Sequence, residues 1–311
     1  DYILRKDPYS IGAVADLLKK FELTIDEHKK ISEYCKKNNI LYMCTPWDQK
    51  SVDILESFEV EAYKVASADL TNMPLLAKLS KTNKPLILST GMSSENEIQY
   101  SVDFLNARSV KFALLHCNST YPAPVQDIHL NWMKSLKEIH SFIGYSGHER
   151  GINISLGAAA LGAHIIERHF TLDREMEGPD HAASLIKSEF IELVQGIREI
   201  EQALGSVSNR SISQGEMINR ENLSKSLVAN VAIRRGTILS EEHIKVCSPG
   251  QGLSPQFFHQ LIGSKAQRDI DAEDFFFLSD IKGTTVKPSN YKFTLNWGVP
   301  VRYHDYEEYA D

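Results

Sequence analysis

The stretch "SFIGYSGHERGINISLGAAALGAHIIERHF", residues 141–170, decides how the chain is read. It opens and closes on short apolar runs, "SFIGYSGH" (141–148) and "AHIIERHF" (163–170), and the interval between them has room for one crossover helix. Each run reads as a buried parallel strand with polar residues at its end. Strand alternation puts Gly144, Ser146 and His148 on one face of the first, and Ile165, Glu167 and His169 on one face of the second. The same pattern continues upstream in "ILYMCTP" (40–46), "EAYKVASAD" (61–69), "KPLILSTG" (84–91) and "VKFALLHC" (110–117). Helix-length segments lie between and after these runs. "EHKKISEYCKK" ends near Asn38-Asn39, "SSENEIQYSVDFLNA" opens on a Ser94–Glu97 capping box, and "KSEFIELVQGIREIEQALG" stops at Gly205.

Six βα repeats suit either a doubly wound sheet or a TIM barrel. Polar residues gather at nearly every strand end: Thr45, Ser67 and Asp69, Ser89 and Thr90, His116 and Asn118, Ser146 and His148, Glu167 and His169. A doubly wound sheet concentrates its site at one switch point, whereas a barrel rim draws on every strand, so the barrel is preferred. The expected fold is α/β, a (β/α)8 TIM barrel lacking its first two strands, which would lie upstream of Asp1. A chain that opens on Asp1 and closes on "YHDYEEYAD" is expected to be a fragment.

The partial barrel is assigned to residues 1–207 and a polar, Ser- and Asn-rich linker to 208–224. Residues 225–283, β-branched and punctuated by Gly and Pro, read as a small β-rich domain. Residues 284–311 are aromatic and fit the start of a further domain.

The 311 residues carry 34 Lys and Arg against 41 Asp and Glu, a formal charge of −7, which offers no basic field to nucleic acid. The weakly polar stretch from Ile154 to Ile166 falls short of the roughly 18 apolar residues of a membrane span. Cys35, Cys44, Cys117 and Cys247 are scattered without a C-x-x-C pair. That argues against a disulfide framework or thiolate zinc site and fits a reducing cytoplasm.

The strand ends at 148 and 169 carry the sharpest chemistry. Two imidazoles beside Glu167 suit Mn²⁺, Fe²⁺, Zn²⁺ or Co²⁺; the plainer alternative is a strand cap and a satisfied core histidine. Lys64, inside an apolar run, is expensive to bury unless it meets an anion, and otherwise would reach out to solvent. Strict alternation sets Lys64 on the opposite face from Ser67 and Asp69, so a bulge is needed to bring the three together. Ser89, Thr90 and Gly91 precede a helix N-terminus, which serves as an anion seat or as a plain helix cap.

Seven strings in order, across residues 45–255, resemble the sialic acid synthase family: "TPWD" (45–48), "YKVASAD" (63–69), "LILSTGM" (86–92), "LLHCNSTYPAP" (114–124), "IGYSGH" (143–148), "ERHFTLDREMEGPDHAASL" (167–185) and "SPGQGLSP" (248–255). The resemblance implies a (β/α)8 barrel followed by an antifreeze-like (SAF) domain. It also implies a homodimer in which the small domain of one subunit closes over the partner's barrel. The implied activity is a transferase reaction, condensing phosphoenolpyruvate with an N-acylated amino-sugar aldehyde such as N-acetylmannosamine, with release of phosphate. By motif, His148 and His169 match metal ligands for Mn²⁺ or Mg²⁺. Thr45, Lys64, Ser67, Ser89, Ser119 and Ser146 match residues that hold phosphoenolpyruvate; Tyr121, Glu167 and Asp180 match the sugar site; the resemblance implies Asp69 and Glu167 as the catalytic carboxylates.

The chain departs from the pattern in three places. Asp69 stands where Glu is usual, Ser119 where some relatives have Asn, and "CSPGQG" lacks an Arg before its Pro-Gly, with Ser248 there instead. Without the Glu and Lys that the family carries on its first two strands, the 311-residue chain itself is expected to be inactive or nearly so. The alternative products are legionaminic or pseudaminic acid, and the alternative to an enzyme is a binding protein that keeps the barrel as a scaffold.

Overall fold

The computed structural model describes residues 22–178, 180–206 and 210–282; the proposed tail at 284–311 lies outside them. The chain divides into two compact units, Asp1–Val207 and Ser208–Asp311.

The first unit is built on one parallel sheet of five strands, in the order β1 (Tyr63–Val65), β2 (Leu86–Ser89), β3 (Phe112–Cys117), β4 (Ile143–Gly147) and β5 (Ile165–Arg168). Chain order equals spatial order, so each strand adds to the same edge after one helical crossover. Helices α1 (Ile25–Lys37) and α2 (Gln49–Glu56) precede the sheet; α3 (Met73–Ser80), α4 (Glu95–Asn106), α5 (Trp132–Ile139), α6 (Asn153–Ala160) and α7 (Lys187–Leu204) follow their strands in turn. The capping box appears as read, with Ser94 accepting from the Glu97 amide and α7 ending at Gly205, whose φ of +56° suits glycine. Strands β3 and β4 are buried along their whole length, as parallel strands covered on both faces must be. The core gathers Leu86, Leu88, Leu114, Ile143 and Tyr145 from the sheet with Leu76, Leu79, Ile98, Leu105 and Leu136 from the helices.

Two expectations are corrected. Among the described residues the run 40–46 pairs into no ladder; Tyr42 and Cys44 pack against the core, while Ile40, Leu41 and Met43 stay exposed. The described residues therefore hold five of the six expected strands, in one parallel sheet whose edge strands are β1 and β5. The segment read as linker contains α8 (Gln214–Leu223), started by a Ser213–Glu216 capping box that local sequence alone supports.

In the second unit β6 (Ser226–Ala229) pairs antiparallel with β7 (Ile244–Cys247), and single bridges join Val228 to Phe275, Ile233 to Ile270 and Ile238 to Lys265. Leu227, Ala229, Ile233, Leu239, Leu261, Ile270 and Phe276 form its separate core. Among the described residues no helix is long and apolar enough to cross a membrane.

Candidate active site

The C-terminal ends of the five parallel strands lie along one end of the sheet, and β1 contributes a largely buried cation. Lys64 Nζ donates to Ser89 Oγ at 2.8 Å and to the Val65 carbonyl at 2.9 Å, with its side chain 12% exposed. Glu167 Oε1 stands 3.8 Å from Nζ and accepts from Ser146 Oγ at 2.7 Å. Ser146 and Glu167 are register partners across β4 and β5, which is why they meet. Burial pushes the Lys64 ammonium below its ordinary pKa, and the nearby Glu167 carboxylate offsets part of that. The cation is thus under-solvated and only partly neutralised, an arrangement that favours an added anion.

No bulge brings Ser67 to this rim. A 3₁₀ turn at Ser67–Asp69 breaks the strand alternation directly after β1. Ser67 Oγ then accepts from the Gly91 amide at 3.2 Å and lies 3.6 Å from Cys117 Sγ. A Cβ on Gly91 would lie 2.2 Å from Ser119 Oγ, 2.8 Å from Ser67 Oγ and 3.2 Å from Cys117 Sγ. Ser67 from the end of β1 and Cys117 and Ser119 from the end of β3 therefore crowd the bare α-carbon of Gly91, a close approach that glycine permits. The helix N-terminus beyond it is occupied by its own cap, Ser94, and Thr90 Oγ1 turns to the Leu115 carbonyl. Of the two readings of the segment that follows β2, the helix end is a plain cap, and the hydroxyls of Ser67 and Ser119 gather at Gly91 instead.

The two imidazoles meet. The His148 and His169 rings have centroids 5.2 Å apart and stand nearly perpendicular. Tyr121 packs on both, 4.2 Å from His148 and 5.6 Å from His169, and burial pushes its hydroxyl up to about 12. His148 Nδ1 lies 2.6 Å from the Asn118 carbonyl, which can only accept. The ring is therefore the Nδ1–H tautomer, with the Nε2 lone pair free. Burial lowers the pKa of both rings, opposed at His148 by the Asn118 carbonyl and at His169 by Asp180, whose Oδ2 is 3.7 Å from Nδ1. Neutral, adjacent imidazoles with one orienting carbonyl are the donor set that a divalent cation takes. Among the described residues no group of three or more His, Cys, Asp and Glu side chains is placed to hold a metal alone.

Two expected site residues make no hydrogen bond to the other expected site residues among the described residues. Asp69 is buried and its Oδ1 accepts from Asn72 Nδ2 at 2.8 Å, while Oδ2 has no partner among the described residues. The Thr45 side chain makes no hydrogen bond among the described residues; its carbonyl lies 3.9 Å from Cys44 Sγ. Of the strand-end polar residues, His116 turns away, with Nε2 2.6 Å from the Ile128 carbonyl and its ring between Trp132 and Tyr145. Cys117, passed over in the sequence, takes the site-facing place that alternation denies to His116. Glu149 and Arg168, also passed over, form a buried ion pair behind the imidazoles, at 2.9 Å. Nothing in the local sequence marks that pair, since its members are 19 residues apart.

An α/β sheet whose strand ends bear a lysine bonded to a serine beside paired imidazoles, followed in the chain by a small β unit, has the layout of a barrel-type enzyme with an accessory domain. The chain belongs to the NeuB family: the family model matches residues 1–209, and a SAF domain model matches residues 224–282. It is 39% identical to the N,N'-diacetyllegionaminic acid synthase of Campylobacter jejuni over 280 residues, 87% of this chain and 84% of that one. It is 35% identical to human N-acetylneuraminate-9-phosphate synthase over 272 residues, 86% of this chain and 75% of that one. Among solved structures it resembles the N-acetylneuraminic acid synthetase of Leptospira borgpetersenii, crystallised with citrate, with a TM-score of 0.64 and 35% identity over 69% of this chain and 76% of that one.

Proposed function

We propose that the protein condenses phosphoenolpyruvate with the open-chain aldehyde of an N-acylated amino sugar, forming a nonulosonic acid and releasing phosphate. The observation that carries this reading is the largely buried Lys64 ammonium, 2.8 Å from Ser89 Oγ and only partly neutralised by Glu167 at 3.8 Å. A dianionic phosphate with an adjoining carboxylate supplies the neutralisation that Lys64 lacks. The names of the relatives, synthases of legionaminic and neuraminic acids, support the product class.

In this reading Lys64, Ser67, Ser89 and Ser119 hold the phosphate and carboxylate, and Ser146 acts through Glu167. C3 of phosphoenolpyruvate bonds to the aldehyde carbon, water adds at C2, and the C2–O bond breaks to release phosphate. Lys64 and the hydroxyls stabilise the negative charge that spreads over the phosphoenolpyruvate oxygens. Glu167, held by Ser146, is placed to orient the sugar hydroxyls and to exchange a proton with water. The free Oδ2 of Asp69 is a second proton carrier. Tyr121 and Asp180 border the sugar side. His148 and His169 would hold Mn²⁺ or Mg²⁺, which when bound supplies Lewis-acid polarisation of the aldehyde.

The test is a panel on the full-length protein, since these 311 residues alone are expected to be inactive or nearly so. Phosphate release from phosphoenolpyruvate is followed with N-acetylmannosamine, its 6-phosphate and the diacetamido sugars of the legionaminic and pseudaminic type, each with Mn²⁺ and with chelator. Release with one sugar that chelator abolishes is the expected result. No release with any sugar, together with no binding of phosphoenolpyruvate, overturns the reading and leaves a scaffold protein.

A further inference from the structure

We propose that Glu149 and Arg168 are positioning residues, a brace on the far side of the sheet that sets where the two imidazoles stand. The inference rests on the reading of His148 and His169 as a working pair. Strand register shows how the brace is placed. Ser146 pairs with Glu167 on the site face, and the next partners, Gly147 and Arg168, fall on the opposite face. Arg168 is the immediate neighbour of His169, and Glu149 the immediate neighbour of His148. Each imidazole is thus joined by one peptide unit to one half of the ion pair.

The pair is fully enclosed, with both side chains 0% exposed. Arg168 Nη1 donates to Glu149 Oε1 at 2.9 Å, to the Gly151 carbonyl at 2.7 Å and to Ser155 Oγ at 3.0 Å; Nη2 donates to the Glu149 carbonyl at 2.5 Å. Tyr145 Oη donates to the other carboxylate oxygen, Glu149 Oε2, at 2.6 Å. The guanidinium therefore ties β5 to the β4–α6 loop and to α6 at once, and Tyr145 ties the carboxylate back to β4. Gly147 leaves the room: a Cβ there would lie 2.7 Å from the Tyr145 ring, 2.8 Å from Glu149 Oε2 and 3.0 Å from Arg168 Cδ.

Stability alone does not account for such a pair. Desolvating two charges offsets most of their attraction, and well-packed apolar residues of similar volume hold a fold as well or better. An apolar pair cannot fix direction, however, whereas a planar fork that bonds several acceptors holds both strand ends in one register. The ends it holds are those that carry His148 and His169, 5.2 Å apart.

The experiment compares wild type, Arg168→Lys and the double variant Glu149→Gln/Arg168→Met as full chains. Three readouts are taken: melting temperature, the His148 Nδ1–H tautomer signal in long-range ¹H–¹⁵N spectra of metal-free protein, and Mn²⁺ affinity by calorimetry without substrate. The double variant is expected to stay folded, to lose the single-tautomer signal and to bind Mn²⁺ about tenfold or more weakly. Arg168→Lys, which keeps the charge and loses the fork, is expected to fall between. A folded double variant with an unchanged tautomer signal overturns the brace. So does a double variant that does not fold, because the pair is then required by the fold itself. If wild type fails to bind Mn²⁺, the metal reading falls, and the tautomer signal alone decides for or against the brace.

Discussion

Replacing Lys64 by methionine keeps most of the side chain's volume and removes its charge. The ammonium donates to Ser89 Oγ and the Val65 carbonyl and faces Glu167 at 3.8 Å. Two effects of opposite sign follow. Free Lys64 is held in the site against a desolvation penalty that lowers its pKa, so removing the charge relieves that penalty. Glu167 loses its facing cation but keeps the Ser146 hydrogen bond and remains about one-third exposed, so it stays hydrated. The melting temperature is therefore expected to hold or rise slightly. Affinity for phosphoenolpyruvate moves the other way. A hydrogen bond to a charged group contributes about 1.5–3 kcal/mol, which corresponds to roughly a 10- to 150-fold loss in binding. Calorimetric titration of wild type and variant with phosphoenolpyruvate, alongside thermal melts, measures both. A variant that binds within twofold of wild type refutes the assignment of Lys64 as the anion-holding cation. A variant that melts far below wild type shows instead that Lys64 serves the fold.

Other predictions follow from the same geometry. Gly91→Ala places a methyl between Ser67, Ser119 and Cys117; the hydroxyls can swing aside, so stability should fall by about 1–3 kcal/mol, as in ordinary overpacking. Phosphoenolpyruvate binding should weaken tenfold or more, and unchanged binding would place the anion elsewhere. Stability should also fall on acidification. Burial lowers the pKa of His116, His148 and His169 in the folded state. Below the unfolded value of about 6.5 the unfolded chain then binds more protons than the folded one, which weakens folding by up to about 1.4 kcal/mol per pH unit for each ring. Chemical denaturation between pH 7.5 and 5 checks this, and a flat profile would contradict the buried neutral state.

Much of the architecture is legible from local pattern. Apolar runs closed by polar residues mark β1 to β5, because a parallel strand buried on both faces has no other way to be written. Ser94 with Glu97 and Gly205 mark helix ends, because capping is satisfied within a few residues. The run at 40–46 misleads for the same reason that the others succeed. It has strand-like residues, but pairing depends on a covered neighbour, and Ile40, Leu41 and Met43 have none among the described residues. Alternation along β4 and β5 also places Ser146 beside Glu167 and His148 near His169.

The amino-acid sequence by itself determined the succession of strands and helices, the faces on which His148, Glu167 and His169 lie, and the presence of a lysine inside an apolar strand. Those properties depend on neighbours within a few residues and on two fixed periodicities. Tertiary structure alone decided that a 3₁₀ turn swings Ser67 onto the Gly91 amide, that Cys117 rather than His116 faces the site, and that Glu149 meets Arg168 behind the imidazoles. Each of those joins groups from separate strand ends, and contacts of that kind are set by how the sheet stacks its strands, which no local window contains.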